Sequence, residues 1–165
     1  MHAHTYKRSS GFTVAELITV VAIVGILAAV AMPLANFGIR RQKEMELHER
    51  LRKITEAIDR YHELRSAPVG SGGSIKDPGD TMQKGWPKSL EELTKPIELM
   101  SGQSVRLLRP RDLIDPMTGK AEWNTLSSDD DPDTQAGSGN GNNVYEIHSK
   151  STAPALDGKT HYNEW

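Results

Sequence analysis

The feature that most constrains this chain is a run of sixteen uncharged residues from Leu17 to Met32, LITVVAIVGILAAVAM. Phe12 to Ala15 extend it to twenty-one residues, broken only by Glu16. A helix of about 20 residues spans the ~30 Å hydrocarbon layer of a bilayer. The run has no polar face, so it does not suit a helix lying against one side of a soluble core. Nor can the remainder enclose it, since hydrophobic residues are only 36% of the chain. Ahead of the run is a short polar leader, Met1 to Gly11, carrying Lys7 and Arg8. Positive charge there holds the leader on the cytoplasmic side and directs the rest outward. Ala29-Val30-Ala31 also meets the A-x-A pattern of a cleaved secretory signal, and a generic single-span anchor would carry a similar run. The helical sequence directly after Pro33 argues against removal of the whole run.

Glu16 separates these readings. A carboxylate at the bilayer centre costs about 2.5–3.5 kcal/mol on insertion scales, less near an end, and such residues usually serve a function. It calls for a positive partner. An α-amine created at Phe12 would lie one helical turn away in the same chain, or would come from a neighbouring subunit.

The stretch Gly11-Phe12-Thr13-Val14-Ala15-Glu16-Leu17, followed by the apolar run, resembles the class III signal of type IV pilins and type II secretion pseudopilins. The resemblance implies that a membrane-bound prepilin peptidase cuts between Gly11 and Phe12 and methylates the new N-terminus at Phe12. It implies that Glu16 pairs with a neighbour's N-terminus during fibre assembly. Removing eleven residues from 165 leaves 154, and the loss of Lys7 and Arg8 moves the formal net charge from −2 to −4. Family fibres have a locally unwound stretch in this helix, and Gly25 to Pro33 is the matching interval. Both are weak points, because glycine is helix-poor and proline removes a hydrogen bond, so a helix kink is expected at Gly25 and Pro33, near Pro33 above all.

Beyond Pro33 the pattern becomes amphipathic. Leu47, Leu51, Ile54, Ile58 and Tyr61 recur at spacings of 4, 3, 4 and 3, one face of a helix. Glu49–Lys53 and Glu56–Arg60 are i,i+4 pairs in the favourable order. The repeat is too short for a coiled coil, so the stripe is expected to pack on a small sheet. Arg40, Arg41 and Lys43 either meet lipid headgroups or a neighbour's acids, or are simply solvated. The helix should stop near Ala67-Pro68, since a residue before proline disfavours helix.

The segment from Pro68 to Lys84 reads as an exposed loop. Ser89 and Glu92 have capping-box spacing for a short helix after Trp86-Pro87. Strands are expected over Ser104–Leu108, Ala121–Trp123 and Val144–His148, with a turn at Asp115-Pro116-Met117-Thr118-Gly119. Residues 127–143, which include Asp129, Asp130, Asp131 and Asp133, read as a low-complexity acidic loop or, less simply, a calcium site. The order of Trp86-Pro87, Asp115-Pro116, Gly119, Trp123, Asp157-Gly158 and terminal Trp165 is similar to the major, G-type pseudopilin of type II secretion. So is the lack of cysteine. That likeness implies calcium in the C-terminal loop, where Asp157, Asn163 and Glu164 are the available oxygen donors. The paired aspartates of the family pattern are replaced here.

The expected organisation is therefore a leader at 1–11, a transmembrane assembly helix at 12–33, its amphipathic continuation at 34–67 and a globular periplasmic head at 68–165. The fold class is α+β: a long, half-transmembrane helix packed on a small antiparallel sheet. The chain is expected in the bacterial inner membrane, single-pass, as a fibre subunit. Its partners would be copies of itself, other pseudopilins, the prepilin peptidase and an inner-membrane assembly platform. A pilus pilin for adhesion, motility or DNA uptake, and a membrane-anchored periplasmic binding domain, are the alternatives. With 20 basic against 22 acidic residues, net charge gives no footprint for nucleic acid. The six histidines fall in no metal-site spacing, no nucleophile or phosphate-loop motif is present, and His48 and His62 read as helix-surface residues; enzyme activity is not expected.

Overall fold

The computed structural model describes residues 11–68, 73–76, 84–131, 137 and 140–165, with the backbone alone at 32 and 33. Leader residues 1–10, Gly70, Gly72 and Asp133 lie outside the described residues. One helix, α1 (Val14–Ser66), is followed by four short strands: β1 (Ile97–Glu98), β2 (Ser104–Val105), β3 (Trp123–Leu126) and β4 (Glu146–Ser149). Single 3-10 turns occur at Glu92–Thr94, Pro110–Leu113 and Tyr162–Glu164. The chain divides into two compact units, Met1–Arg40 and Arg41–Trp165. This is the α+β class expected, with the sheet component realised as two antiparallel ribbons.

α1 ends at Ser66, two residues before Pro68, as the pre-proline restriction requires. Arg65 in its last turn complements the negative helix end. Helix runs through both Gly25 and Pro33.

In the second unit the stripe expected from spacing is the core face. Leu47, Ile54 and Ile58 are fully buried, Tyr61 nearly so, and Leu51 packs partly against them. Ala57 and Leu64 extend the same face. Against it lie Leu90, Leu93, Ile97, Leu99, Leu113 and Trp123, each buried. Glu49 pairs with Lys53 at 2.7 Å, which holds its carboxyl below the ordinary range by hydrogen bonding and charge attraction. The second expected pair does not form: Arg60 bonds Glu63 at 2.8 Å and Glu56 lies 3.8 Å from Arg52.

β1 and β2 pair with Ile97 opposite Val105, and β3 and β4 with Trp123 opposite Ser149. The expected strands are shifted or shortened. Ser104–Leu108 keeps only its first two residues, because Leu108 donates its N–H to Leu93 and Pro110 opens a 3-10 turn. β4 starts two residues late, since the N–H of Val144 goes to Pro87 and that of Tyr145 to Leu126. The short helix at Ser89 is a 3-10 turn without a side-chain cap. Glu92 instead accepts the Lys88 N–H at 2.8 Å and the Tyr61 hydroxyl at 2.9 Å. Part of the expected exposed loop is structural: Ile75 forms a bridge with Leu99, is buried, and donates to Leu64.

The Asp115 turn is a buried keystone. Its carboxylate, fully enclosed, accepts the Met117 N–H and the Ser149 hydroxyl, both at 2.7 Å. This ties the turn before β3 to the end of β4. Gly119 closes the turn at φ 71°, where a side chain would strain the backbone. In the acidic loop Asp130 accepts the N–H groups of Ser127 and Asn140, and Asp129 pairs with Lys84.

Candidate processing and assembly site

The site begins where the helix begins. Residues 11–13 precede α1, and Thr13 and Glu16 close its first turn reciprocally. The Glu16 N–H donates to the Thr13 hydroxyl at 3.2 Å, while Glu16 Oε2 accepts the Thr13 N–H at 3.1 Å and the Thr13 hydroxyl at 3.2 Å. This is a capping box, which satisfies orphan donors of a helix N-terminus and sets a negative charge at its positive end. The T-x-x-E spacing is present in the sequence, whereas the charge of Glu16 by itself points to a positive partner such as an amine at Phe12. Glu16 is thus compensated within its own chain, by neutral donors.

Gly11 is not required by the fold. A Cβ added there meets nothing within 4 Å, and its φ is not positive. The same holds at Gly25. Any requirement for a small residue at these positions comes from another molecule.

Phe12 is 76% exposed, and the large apolar side chains described between it and Ile39 are all at least half exposed. The apolar window has a mean hydropathy of 2.7 and none of it is buried. Such a continuous apolar surface far exceeds the few hundred Å² tolerated on a soluble monomer, so it marks a membrane or subunit contact. Thr19, the polar residue within it, returns its hydroxyl to the Ala15 carbonyl at 2.8 Å and presents no unpaired donor.

The C-terminal candidates sit apart from this site in sequence. Asp157 caps its own turn, accepting the N–H groups of Lys159 at 2.9 Å and Thr160 at 3.0 Å, and the Thr160 hydroxyl at 2.8 Å. These bonds hold its carboxyl below the ordinary range. Glu164 accepts the His161 N–H at 3.1 Å, and Asn163 lies within the 3-10 turn. Calcium takes 6–8 oxygen ligands. Asp157, Asn163 and Glu164 do not fit that demand, because both carboxylates are spent on local turns, and among the described residues no three acidic or histidine side chains converge.

His48 is an exposed helix residue, as expected, and His62 is half-buried; each carries a ring stack. His48 stacks on Trp165 at 4.3 Å and His62 on Trp86 at 3.9 Å, both nearly parallel.

Residues 6–32 match the family described as the prokaryotic N-terminal methylation motif. The matched span holds Gly11, Phe12, Glu16 and the whole of the apolar run. It supports a type IV pilin-like chain of the prepilin-processed kind, anchored in a membrane by its N-terminal helix. Pilin-type polymerisation and prepilin-peptidase processing go with that motif, which is a structural rather than a catalytic one. No curated protein and no solved structure matches the chain.

Proposed function

We propose that this chain is a pseudopilin subunit of a type II protein secretion system. The observation that carries the reading is the coincidence of the methylation motif with an apolar helical window none of which is buried among the described residues. The precursor is held in the inner membrane by residues 12–33, with the head in the periplasm. Prepilin peptidase cuts between Gly11 and Phe12 and methylates Phe12. An unhindered glycine at the scissile position suits an enzyme that must close around the backbone. The assembly platform then moves the subunit into a homopolymer that also includes other pseudopilins.

Energetics favour that transfer. Each large apolar side chain moved from partial exposure to a packed subunit core contributes on the order of 1.5–3 kcal/mol relative to water, although lipid already supplies part of this. Glu16 supplies direction. In the free subunit it accepts only the neutral donors of Thr13; against a neighbour's methylated amine it gains a charge-assisted bond, roughly twice as strong. Gly25 and Pro33 allow the helix between them to unwind when neighbours pack around it, where freed backbone groups are shielded from lipid. The absence of cysteine and the Asp157-Gly158 turn support the secretion subunit over a pilus pilin.

Deleting the gene tests this reading. Loss of folded exoproteins from the medium, with surface motility, adhesion and DNA uptake intact, is the expected result. Normal secretion with lost motility, adhesion or DNA uptake would instead make the chain a pilus pilin.

A further inference from the structure

We propose that the C-terminal segment 153–165 is latched to α1 by Glu44 and His48 in place of a bound cation, so that the head stays closed without calcium. Glu44 Oε1 accepts two donors from the segment, the Leu156 N–H at 2.7 Å and the Tyr162 hydroxyl at 2.9 Å. These donors bracket the Asp157 turn on both sides. Four residues along α1, on the same helix face, the His48 ring stacks on Trp165 at 4.3 Å with 14° between the planes. Trp165 also meets Tyr162 edge-on at 5.2 Å and donates its ring N–H to Thr160 at 3.0 Å.

The segment is closed on itself as well. Ala155 donates to Thr160 at 2.9 Å, Tyr162 donates to Ala153 at 3.2 Å, and Pro154 bridges to His161. The turn between them needs Gly158 at φ 67°. A cation tying a loop to a scaffold gathers several anionic oxygens around one positive charge. Here the polarity is reversed: one carboxylate on the helix gathers N–H and O–H donors from the loop. Asp157 and Glu164 each accept backbone N–H groups of their own turns, and among the described residues no three acidic or histidine side chains gather for a metal. Glu44 is thus a positioning residue for the tail. The inference rests on the head alone and stands whether or not the chain is a secretion subunit.

The test uses the full-length chain in detergent. Thermal unfolding read by tryptophan fluorescence should give the same Tm in millimolar calcium and in excess EDTA. Calcium titration by calorimetry should show no saturable heat. Trypsin should cut slowly after Lys159 in either condition. Glu44→Ala should speed that cut by about tenfold to a hundredfold, the loss expected for hydrogen bonds to a charged group. Glu44→Gln, which keeps an acceptor oxygen, should fall between the two. If Glu44→Ala unfolds altogether, Glu44→Gln alone carries the reading, and a rate equal to wild type overturns the latch. A calcium-dependent rise in Tm, saturable calcium binding, or calcium protection of the Lys159–Thr160 bond would overturn the proposal directly.

Discussion

Glu16 is held by two bonds to Thr13 before any partner arrives. In the proposed assembly, its role would therefore be an exchange of partners and not the rescue of a bare charge. Glu16→Ala should leave processing intact and abolish fibres, as seen by shearing and electron microscopy; normal fibres in that variant would refute the exchange. Asp115 shows the opposite use of a carboxylate. It is wholly buried and bonded, and serves only the fold. Asp115→Ala strands the Ser149 hydroxyl and the Met117 N–H, so chemical denaturation should show a loss of about 3 kcal/mol. Asp157 sets the acid limit of the tail. Backbone N–H groups from Lys159 and then Thr160 lower its pKa from the ordinary value of 3.8. A lowered folded value means its contribution is complete above 3.8 and lost as pH falls through the folded pKa. Amide exchange at Lys159 and Thr160 should accordingly stay flat from neutral pH down to about 4, after correction for intrinsic rates, and rise only below. Asp157→Asn should remove that acid-dependent rise.

Among the elements, α1 was the most legible. Its two halves are written in different codes, a facewise stripe in one and an unbroken apolar run in the other, and each half behaves accordingly. Ile54 is fully buried, whereas Ile23 is half exposed. Ile54→Ala should destabilise the head by about 2–5 kcal/mol, while Ile23→Ala should leave its unfolding midpoint unchanged in detergent. Equal effects on the midpoint would contradict the division of labour along α1. The strands were less legible because they are two to four residues long, and their limits are set by remote acceptors. Val144 is bound by Pro87, and Ile75 by its bridge to Leu99; no local alternation records either. The His48 stack was hidden for the same reason, since its partner is the last residue of the chain. At the processing site Gly11, Phe12 and Glu16 were legible because their meaning lies in fixed spacing. The Thr13 half of the cap is less legible, because a carboxylate beside an apolar run calls for a positive charge before a neutral hydroxyl.

At the scale of the whole molecule, the near-neutral, polar average of the sequence joins two unlike parts. Residues 41–165 form a unit with its own buried core, and the large apolar side chains described between 12 and 39 are exposed. In the proposed reading, membrane and then neighbouring subunits cover those side chains, and processing of the leader comes before assembly. The most direct test is the intact mass and N-terminal sequence of the protein recovered from the membrane of cells that make prepilin peptidase. The account predicts a chain beginning with N-methylated Phe12. A chain beginning at Met32, as cleavage after Ala31 would give, or an uncut chain still carrying Lys7 and Arg8, would contradict it.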